Sequence, residues 1–201
     1  MDSLDTAQLV ALAAALGWAS GLRLYAVVFL TGLAGFLGWV ELPSGLRILQ
    51  SPVVLWASGT MLVVEFLADK IPFVDSMWDA VHTVIRIPAG AALAAGVFGG
   101  DHASWALVAA LAGGTLAATA HAAKSSTRAA VNTSPEPFSN IGVSLIEDGI
   151  VPFGLWLALN EPVWFFVLLG VSLVVMVVLI VTLVRFVGFV LRRFRGDVAR
   201  T

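Results

Sequence analysis

Two short strings in this chain place a hydroxyl group three residues before an arginine. Ser20 and Arg23 lie in "SGLR", and Ser125 and Arg128 lie in "SSTR", directly after Lys124. Guanidinium, ammonium and hydroxyl groups donate the charge-assisted and directional hydrogen bonds that hold anions. Because neither string contains a carboxylate, the two strings predict a binding site for an anionic group.

Two acidic strings follow the same order along the chain. "EFLADKIP" carries Glu65 and Asp69, and "LIEDGIVP" carries Glu147 and Asp148. A proline removes a backbone donor and leaves a carbonyl free, which helps to coordinate a cation. These acids therefore predict either a site for a coupling proton or Na⁺, or structural partners for the arginines. Asn132 adds a further polar group to the predicted solute site.

A stripe of polar residues follows the first acidic string. Asp75, Asp79, His82 and Arg86 are spaced 4, 3 and 4 residues apart, which places them on one face of a helix. One interpretation is a helix lying at the membrane surface with this face in water. A second is a stripe that lines a polar pathway inside the protein. The spacing of Asp79 and His82 also occurs in di-metal bundles, but without a second copy it predicts no metal site.

The composition decides which solvent surrounds these groups. Of 201 residues, 59% are hydrophobic and only 12% are charged, whereas soluble domains carry roughly 25% charged residues. Several stretches reach the length of about 20 apolar residues that a membrane helix needs. Cysteine is absent, and no basic block, phosphate-binding loop or hydrolase motif occurs. The chain therefore predicts a membrane protein that is not an enzyme, without cofactor or nucleic-acid partner.

The apolar runs predict an all-α, polytopic membrane bundle that forms one domain over residues 1–201. The expected membrane segments are 8–38, 51–68, 75–98, 103–123, 139–159 and 162–191. The first is too long for one simple crossing and contains "GWASGLRLY", where we expect a break or a strong tilt. Between segments 4 and 5 we expect a helix end, an ordered polar loop and a restart capped by Ser139 or Asn140.

Basic residues near the segment ends predict the orientation in the membrane. The C-terminal cluster places that end in the cytoplasm, and six crossings then place the N-terminus there too. Lys70, Lys124 and Arg128 fall on the same side, and only Arg47 falls on an outer loop. The cluster comprises Arg192, Arg193, Arg195 and Arg200.

The repeated order of Ser-x-x-Arg and acid–proline strings suggests two halves, 8–98 and 103–191. Three segments in each half would make the second half inverted, a plan found in many transporters. In that plan Ser20–Arg23 and Ser125–Arg128 approach one site from opposite sides of the membrane. A buried guanidinium needs a partner, so we expect Arg23 to pair with Glu147 or Asp148.

Three strings also carry a resemblance: "ASGLRLY", "EFLADKIPFVDSMWDAVHTVIRIPAGA" and "HAAKSSTRAAVNTSPEPFSN". Together they resemble a widespread family of small bacterial integral inner-membrane proteins, catalogued only as a domain of unknown function. The resemblance covers about residues 8–160. It implies a multi-pass inner-membrane protein and no established activity, and it assigns no role to any residue.

These observations predict a small inner-membrane transporter or channel-like protein for a small, anionic solute or ion. Ionisable groups are expensive inside a membrane and usually face a cavity or one another. The alternatives are a non-transporting scaffold or accessory subunit with structural charge pairs, and a lipid-active enzyme or flippase. The expected partners are the bilayer and the solute, and the sequence leaves a homo-oligomer open.

Overall fold

The computed structural model describes residues 4–71, 73–99, 102–132 and 137–198, with side chains omitted for residues 137 and 187–198. Within these residues it contains helices and no strand, which confirms the all-α fold class. A 3₁₀ helix at Ser44–Gln50 lies between the first two α-helices. The helices are α1 Thr6–Phe36, α2 Pro52–Ala68, α3 Val74–Val97, α4 Ala103–Val131, α5 Pro137–Asn160 and α6 Pro162–Val198.

Local sequence signals set the starts of these helices. Asp5 and Gln8 form a capping box, in which each side chain accepts from the other residue's backbone N–H. The Ser51 side chain accepts from the N–H of Val54, and Pro52 opens α2. The predicted segment boundaries agree with the structure to within a few residues, except that α4 and α6 extend eight and seven residues further.

Helix α1 is broken at Arg23 and folds back on itself. Arg23 has φ −142° and ψ 77°, outside the helical region. Gln8 and Ala34 line the same cavity, although a straight helix would separate them by about 39 Å. The predicted break is confirmed, and it produces a hairpin with a first arm at 6–22, an apex at Arg23 and a second arm at 24–36.

The hairpin is the centre of the bundle, and its arms define two ends. At what we call the N-terminal end, the Gln8 side chain donates to the carbonyl of Leu159, beside the start of α6. At the opposite end, which we call the apex end, Arg23 meets Ser144 near the start of α5. The first arm therefore runs antiparallel to α5, and α6 leads from the N-terminal end toward the apex end.

Close backbone approaches hold the first arm against α4. A β carbon added at Gly17 would lie 2.5 Å from the Cα of Gly113. Further down the arm, the Leu22 carbonyl accepts from Lys124. Because residue numbers increase together along both helices, the first arm and α4 run parallel. Small residues permit this contact, as they do in other membrane bundles.

The outer surface is apolar, as a lipid-facing surface must be. Five helices are long and apolar enough to cross a membrane, and the bent 3₁₀–α2 pair, with a 69° bend, would make a sixth. On α6, Val163, Val171, Val174 and Val178 are all exposed. Since water would not solvate such a face, the chain is a multi-pass membrane protein.

The folded-back α1 bears on the predicted topology. Six crossings would place both termini on one side of the membrane, but the hairpin returns the chain to the end of the bundle from which it started. Leu4–Gln8 lies where α6 begins, whereas the other end of α6 lies a full membrane span away. Because segment 1 folds back, Leu4 and the far end of α6 lie at opposite ends of the bundle. The membrane sides of the two termini stay a prediction. The basic C-terminal side chains lie outside the described residues.

Two predictions about the "KSSTR" region are also corrected. Helix α4 continues to Val131, so Ser125 and Arg128 are helical rather than part of a loop. Ser139 and Asn140 lie inside the first turn of α5 and do not cap it, and residues 133–136 lie outside the described residues. The two Ser-x-x-Arg strings run in the same direction, so they do not approach from opposite sides as the inverted plan required.

We predict that reporters fused to the two termini will give signals from opposite sides of the membrane. The reason is that the hairpin returns the chain to its starting side before α2. Because the chain has no cysteine, single-cysteine variants can check this with an impermeant thiol reagent. Glu161→Cys should share the side of the N-terminus, and Ile71→Cys the side of the C-terminus. Termini on one side would contradict the hairpin.

We predict that Gly17→Ala lowers the free energy of unfolding by about 1–3 kcal/mol, since the new methyl group overpacks against the α4 backbone. Gly142→Ala is the matched control, because a β carbon there meets nothing within 4 Å. The control should change stability by no more than a gain of about 1 kcal/mol. Unfolding in mixed micelles measures both. Equal stability of the two variants would show that the close approach does not exist.

Candidate functional site

A buried ion-pair network surrounds the apex of the hairpin. It joins five basic and five acidic side chains, so its formal charges balance. Most members are fully buried, and only Lys70 and Asp148 are about one-fifth exposed. The basic members are Arg23, Lys70, Arg86, Lys124 and Arg128, and the acidic members are Glu65, Asp69, Asp79, Glu147 and Asp148.

Lys124 lies at the centre of this ion-pair network. Its Nζ is 2.7 Å from Asp69 Oδ2, 3.4 Å from Glu147 Oε2 and 3.5 Å from Asp79 Oδ1. It also donates to the carbonyl of Leu22, at 3.0 Å, directly before the break in α1. One ammonium group therefore ties α4 to α2, α3, α5 and the hairpin apex.

Arg23 spreads its guanidinium over two neighbouring helices. It lies 3.1 Å from Asp69 of α2, and 3.0 Å and 3.8 Å from Asp148 and Glu147 of α5. It also donates to the Ser144 hydroxyl at 2.8 Å. The predicted pairing with Glu147 or Asp148 is confirmed for both acids. Asp69 is an additional partner, which the sequence order did not indicate.

Arg23 and Arg128 converge, but on a protein carboxylate. Arg128 lies 3.1 Å from Glu147 Oε2, the atom that also faces Arg23, and it donates to the side chain of Asn140. The hydroxyl groups of the two strings do not join them. Ser20 donates to the Leu16 carbonyl of its own helix, and Ser125 contacts His121.

The polar stripe of α3 faces inward. Asp75, Asp79, His82 and Arg86 are all buried, whereas Met77 on the opposite face is exposed. The interpretation of a surface helix with its polar face in water is therefore wrong, because the exposed face of α3 is the apolar one. The stripe instead forms part of the protein interior.

Only half of the stripe enters the network. Arg86 lies 2.7 Å from both Glu65 and Asp79. His82 contacts Tyr25 at 3.1 Å and stacks on Trp78. The contact with Tyr25 places His82 against the second arm of α1.

The outermost stripe residue binds a residue of α4's C-terminal cap. Asp75 accepts from the side chain of Asn132 at 2.8 Å, and Asn132 also donates to Ser76. Asn132 therefore lies at the margin of the network rather than within it. Among the described residues, no group of three or more histidine, aspartate or glutamate side chains is arranged to hold a metal ion.

Sequence reasoning missed three members of this region: Lys70, Asn140 and Ser144. Asn140 and Ser144 are fully buried and bind Arg128 and Arg23, and Lys70 binds Asp148 at 3.0 Å. A signal was present, because Asn140, Ser144 and Glu147 follow the i, i+4, i+7 spacing of one helical face.

A cavity of about 640 Å³ opens between the two arms of α1 and α5, and we call it the hairpin cavity. Leu12 and Thr31 lie on the two arms, and Pro152 lies on α5. Pro152 is one helical turn beyond Asp148 of the network. The cavity lining therefore comes within about 6 Å of Asp148 along the axis of α5. On the two arms of α1 it stops at Leu12 and Leu30, about 16 Å and 10 Å from Arg23 along each arm.

Comparisons with known proteins assign a family and no activity. A family model described as "Domain of unknown function (DUF4126)" matches residues 10–182, which is most of the chain. No curated protein and no solved structure matches the chain.

We predict that Lys124→Met lowers the free energy of unfolding by about 3–5 kcal/mol, because it leaves three buried carboxylates without their common partner. Adding Asp69→Asn restores the charge balance and should recover part of the loss. Arg47→Gln is the control, since its 3.7 Å pair with Glu41 is exposed and is worth at most about 1 kcal/mol. Unfolding in mixed micelles measures all three. A Lys124→Met loss no larger than the control's would refute the central role of Lys124.

Proposed function

We propose that this chain, which belongs to the DUF4126 family, is a small membrane transporter or channel-like protein. In this proposal a solute or ion enters the hairpin cavity from the N-terminal end. The ion-pair network is the closed gate at the apex end. The observation that carries the proposal is that Pro152, which lines the hairpin cavity, follows Asp148 of the network by one turn of α5.

The energetics of the network support a gate rather than a purely structural role. Burying an ion pair costs several kcal/mol of desolvation per ion, and apolar side chains of similar volume often stabilise a core as well or better. Ten ionised groups are therefore a costly way to hold helices together. If these charged groups exchange partners as the helices move, the exchange gives a reason for retaining them in the protein.

The arrangement of partners makes such an exchange feasible. Asp69 faces both Lys124 and Arg23, and Glu147 faces Arg23, Lys124 and Arg128. A displacement of the apex that breaks one contact leaves each carboxylate with another cation. The break at Arg23 is where α1 is able to bend without disturbing either arm, as in the discontinuous helices of known transporters.

The charge balance bears on the nature of the solute. An anionic solute was expected because Arg23 and Arg128, with the hydroxyl groups beside them, were predicted to meet it at one shared site. In the structure each faces a carboxylate, so in this state the network has no surplus positive charge with which to attract an anion. We therefore treat the network as the gate and seek the solute's binding contacts in the hairpin cavity.

We further propose that the apex end faces the cytoplasm of a bacterial inner membrane. Lys70 lies at this end beside Ser144 and Asp148, and α6, which carries Arg192, Arg193 and Arg195, runs toward it. Arg47 lies in the 3₁₀ helix at the N-terminal end. Basic residues are enriched on the cytoplasmic side. This orientation places the N-terminus outside, in contrast to the expectation from six crossings.

A second candidate function, a non-transporting scaffold, is favoured by one observation. Every basic member of the network has an acidic partner within 4 Å, as expected of charges that only hold helices together. In that case the network never opens to water. Access of water to the network therefore distinguishes the two functions.

We predict that a cysteine at Ser144 will react with an impermeant thiol reagent added from the apex side. Ser144 is fully buried between Arg23 and Lys70, so it reacts only when the network opens. The rate of labelling in proteoliposomes is the measurement, and the chain's lack of cysteine gives no background.

Two matched variants control this experiment. Ser58→Cys is also buried but lies outside the network on α2, so it should stay unreactive. Ala34→Cys lines the hairpin cavity at a half-buried position and should react from the N-terminal side. If Ser144→Cys is as inert as Ser58→Cys, the network stays closed and the scaffold function is the better account.

A further inference from the structure

The hairpin cavity has walls suited to an apolar body. Leucine side chains from the first arm, the second arm and α5 line it, together with Val40 and Pro152. Its volume of about 640 Å³ falls within the range of about 300–1,000 Å³ typical of small-molecule sites. An inorganic ion would leave most of this apolar surface in contact with water, so the lining favours an organic ligand.

The polar groups of the cavity favour one sign of charge. Among the lining residues that the structure describes, Glu41 is the one acidic side chain and none is lysine or arginine. Gln8, Thr31 and Asn160 are the neutral polar residues of the lining. Arg47 lies 3.7 Å from Glu41, but both side chains are more than half exposed. Such a pair is weak and leaves Glu41 available to a ligand.

The charged residues around the opening of the cavity, at the N-terminal end, are also mostly negative. Among the described residues of the N-terminal end, Asp5, Glu41 and Glu161 are exposed acids, and Arg47 is the basic residue. An excess of carboxylates around an opening in a low-dielectric body raises the local concentration of cations. The described charges at this end of the bundle therefore favour a cation over an anion.

Two tryptophan rings in the lining also favour a cation. Trp39 and Trp156 both line the cavity and keep 70% and 54% of their surface exposed. The face of an indole ring attracts a cation, and two such rings beside a carboxylate are typical of sites for bulky ammonium groups. Tryptophan is also common at the membrane–water interface, but that role does not require Glu41.

From this lining we infer that the hairpin cavity binds an organic cation, a positively charged group attached to an apolar body. The charge would lie near Glu41 and the tryptophan rings, and the body against the leucines of the hairpin and α5. As a binding site the inference is independent of transport. As the identity of the solute it rests on the proposed function.

The test uses two probes of the same shape and opposite charge, tetraphenylphosphonium and tetraphenylborate. Binding is measured with purified protein in phosphatidylcholine nanodiscs, and the signal from empty nanodiscs is subtracted. We expect saturable binding of tetraphenylphosphonium and none of tetraphenylborate. Glu41→Gln should raise the dissociation constant about fivefold, as expected for one partly exposed charge contact.

Matched variants separate this site from nonspecific attraction. Glu161→Gln removes an exposed acid of the same end that does not line the cavity, and it should leave binding within about twofold of the parent. Trp39→Leu keeps an apolar side chain without the ring and should weaken binding severalfold. Trp164→Leu, an exposed tryptophan outside the cavity, should have no effect.

Two results would overturn the inference. Saturable binding of tetraphenylborate at equal or higher affinity would mean that the cavity accepts any apolar body, including a lipid chain. Unchanged affinity in both Glu41→Gln and Trp39→Leu would place the probe elsewhere. Labelling of Ser144→Cys reports on the gate separately. Binding without labelling would retain the site and reject transport, and labelling without binding would reject only the solute class.

Discussion

The fold depends on one buried ammonium group. Lys124 reaches three carboxylates and the Leu22 carbonyl from a single position on α4. A lysine in such a place needs this surplus of negative partners, because an isolated charge would not remain ionised in an apolar interior. The carboxylates in turn need Arg23, Arg86 and Arg128. Each helix that contributes a charge is thereby fixed against the others, and the apex of α1 is held where the charges meet.

This constraint explains why α1 is able to break inside the bundle. Non-helical backbone at membrane depth is tolerated only where protein or a cavity covers it. At Arg23 the network supplies that cover, since Lys124 donates a hydrogen bond to the Leu22 carbonyl. The broken helix then forms two arms, and the space between them becomes the hairpin cavity. The structural feature that costs most, a buried charge network, and the feature most suggestive of function, a cavity within a hairpin, therefore arise together.

The two features differ in chemical character. The network is balanced and buried, which suits a closed contact that opens only when helices move. The described lining of the hairpin cavity is mostly apolar and includes the carboxylate of Glu41 and two exposed tryptophans, which suits recognition of a ligand. Under the proposed function, ligand selection belongs to the hairpin cavity and gating to the network. On α5 the two regions are marked by Pro152 and Asp148, which are one helical turn apart. The presence of Arg23 and Arg128 then needs no anionic solute to explain it, because their partners are the protein's own carboxylates.

The sequence by itself determined the elements and the participants. Apolar length predicts the helices because a membrane demands about 20 apolar residues per crossing, and rare charges in such segments predict a buried cluster because isolated ones are too costly. Glycine and serine beside Arg23 predicted the break in α1. Only the tertiary structure decided that this break reverses the direction of the chain. The reversal places Leu4 and the C-terminal end of α6 at opposite ends of the bundle. It also makes the two Ser-x-x-Arg strings run parallel. Periodicity reports which residues share a helical face, but not the angle between two arms or which neighbour covers that face. For the same reason the stripe of α3 read equally well as a surface or an interior, until α1, α2 and α4 were packed against it.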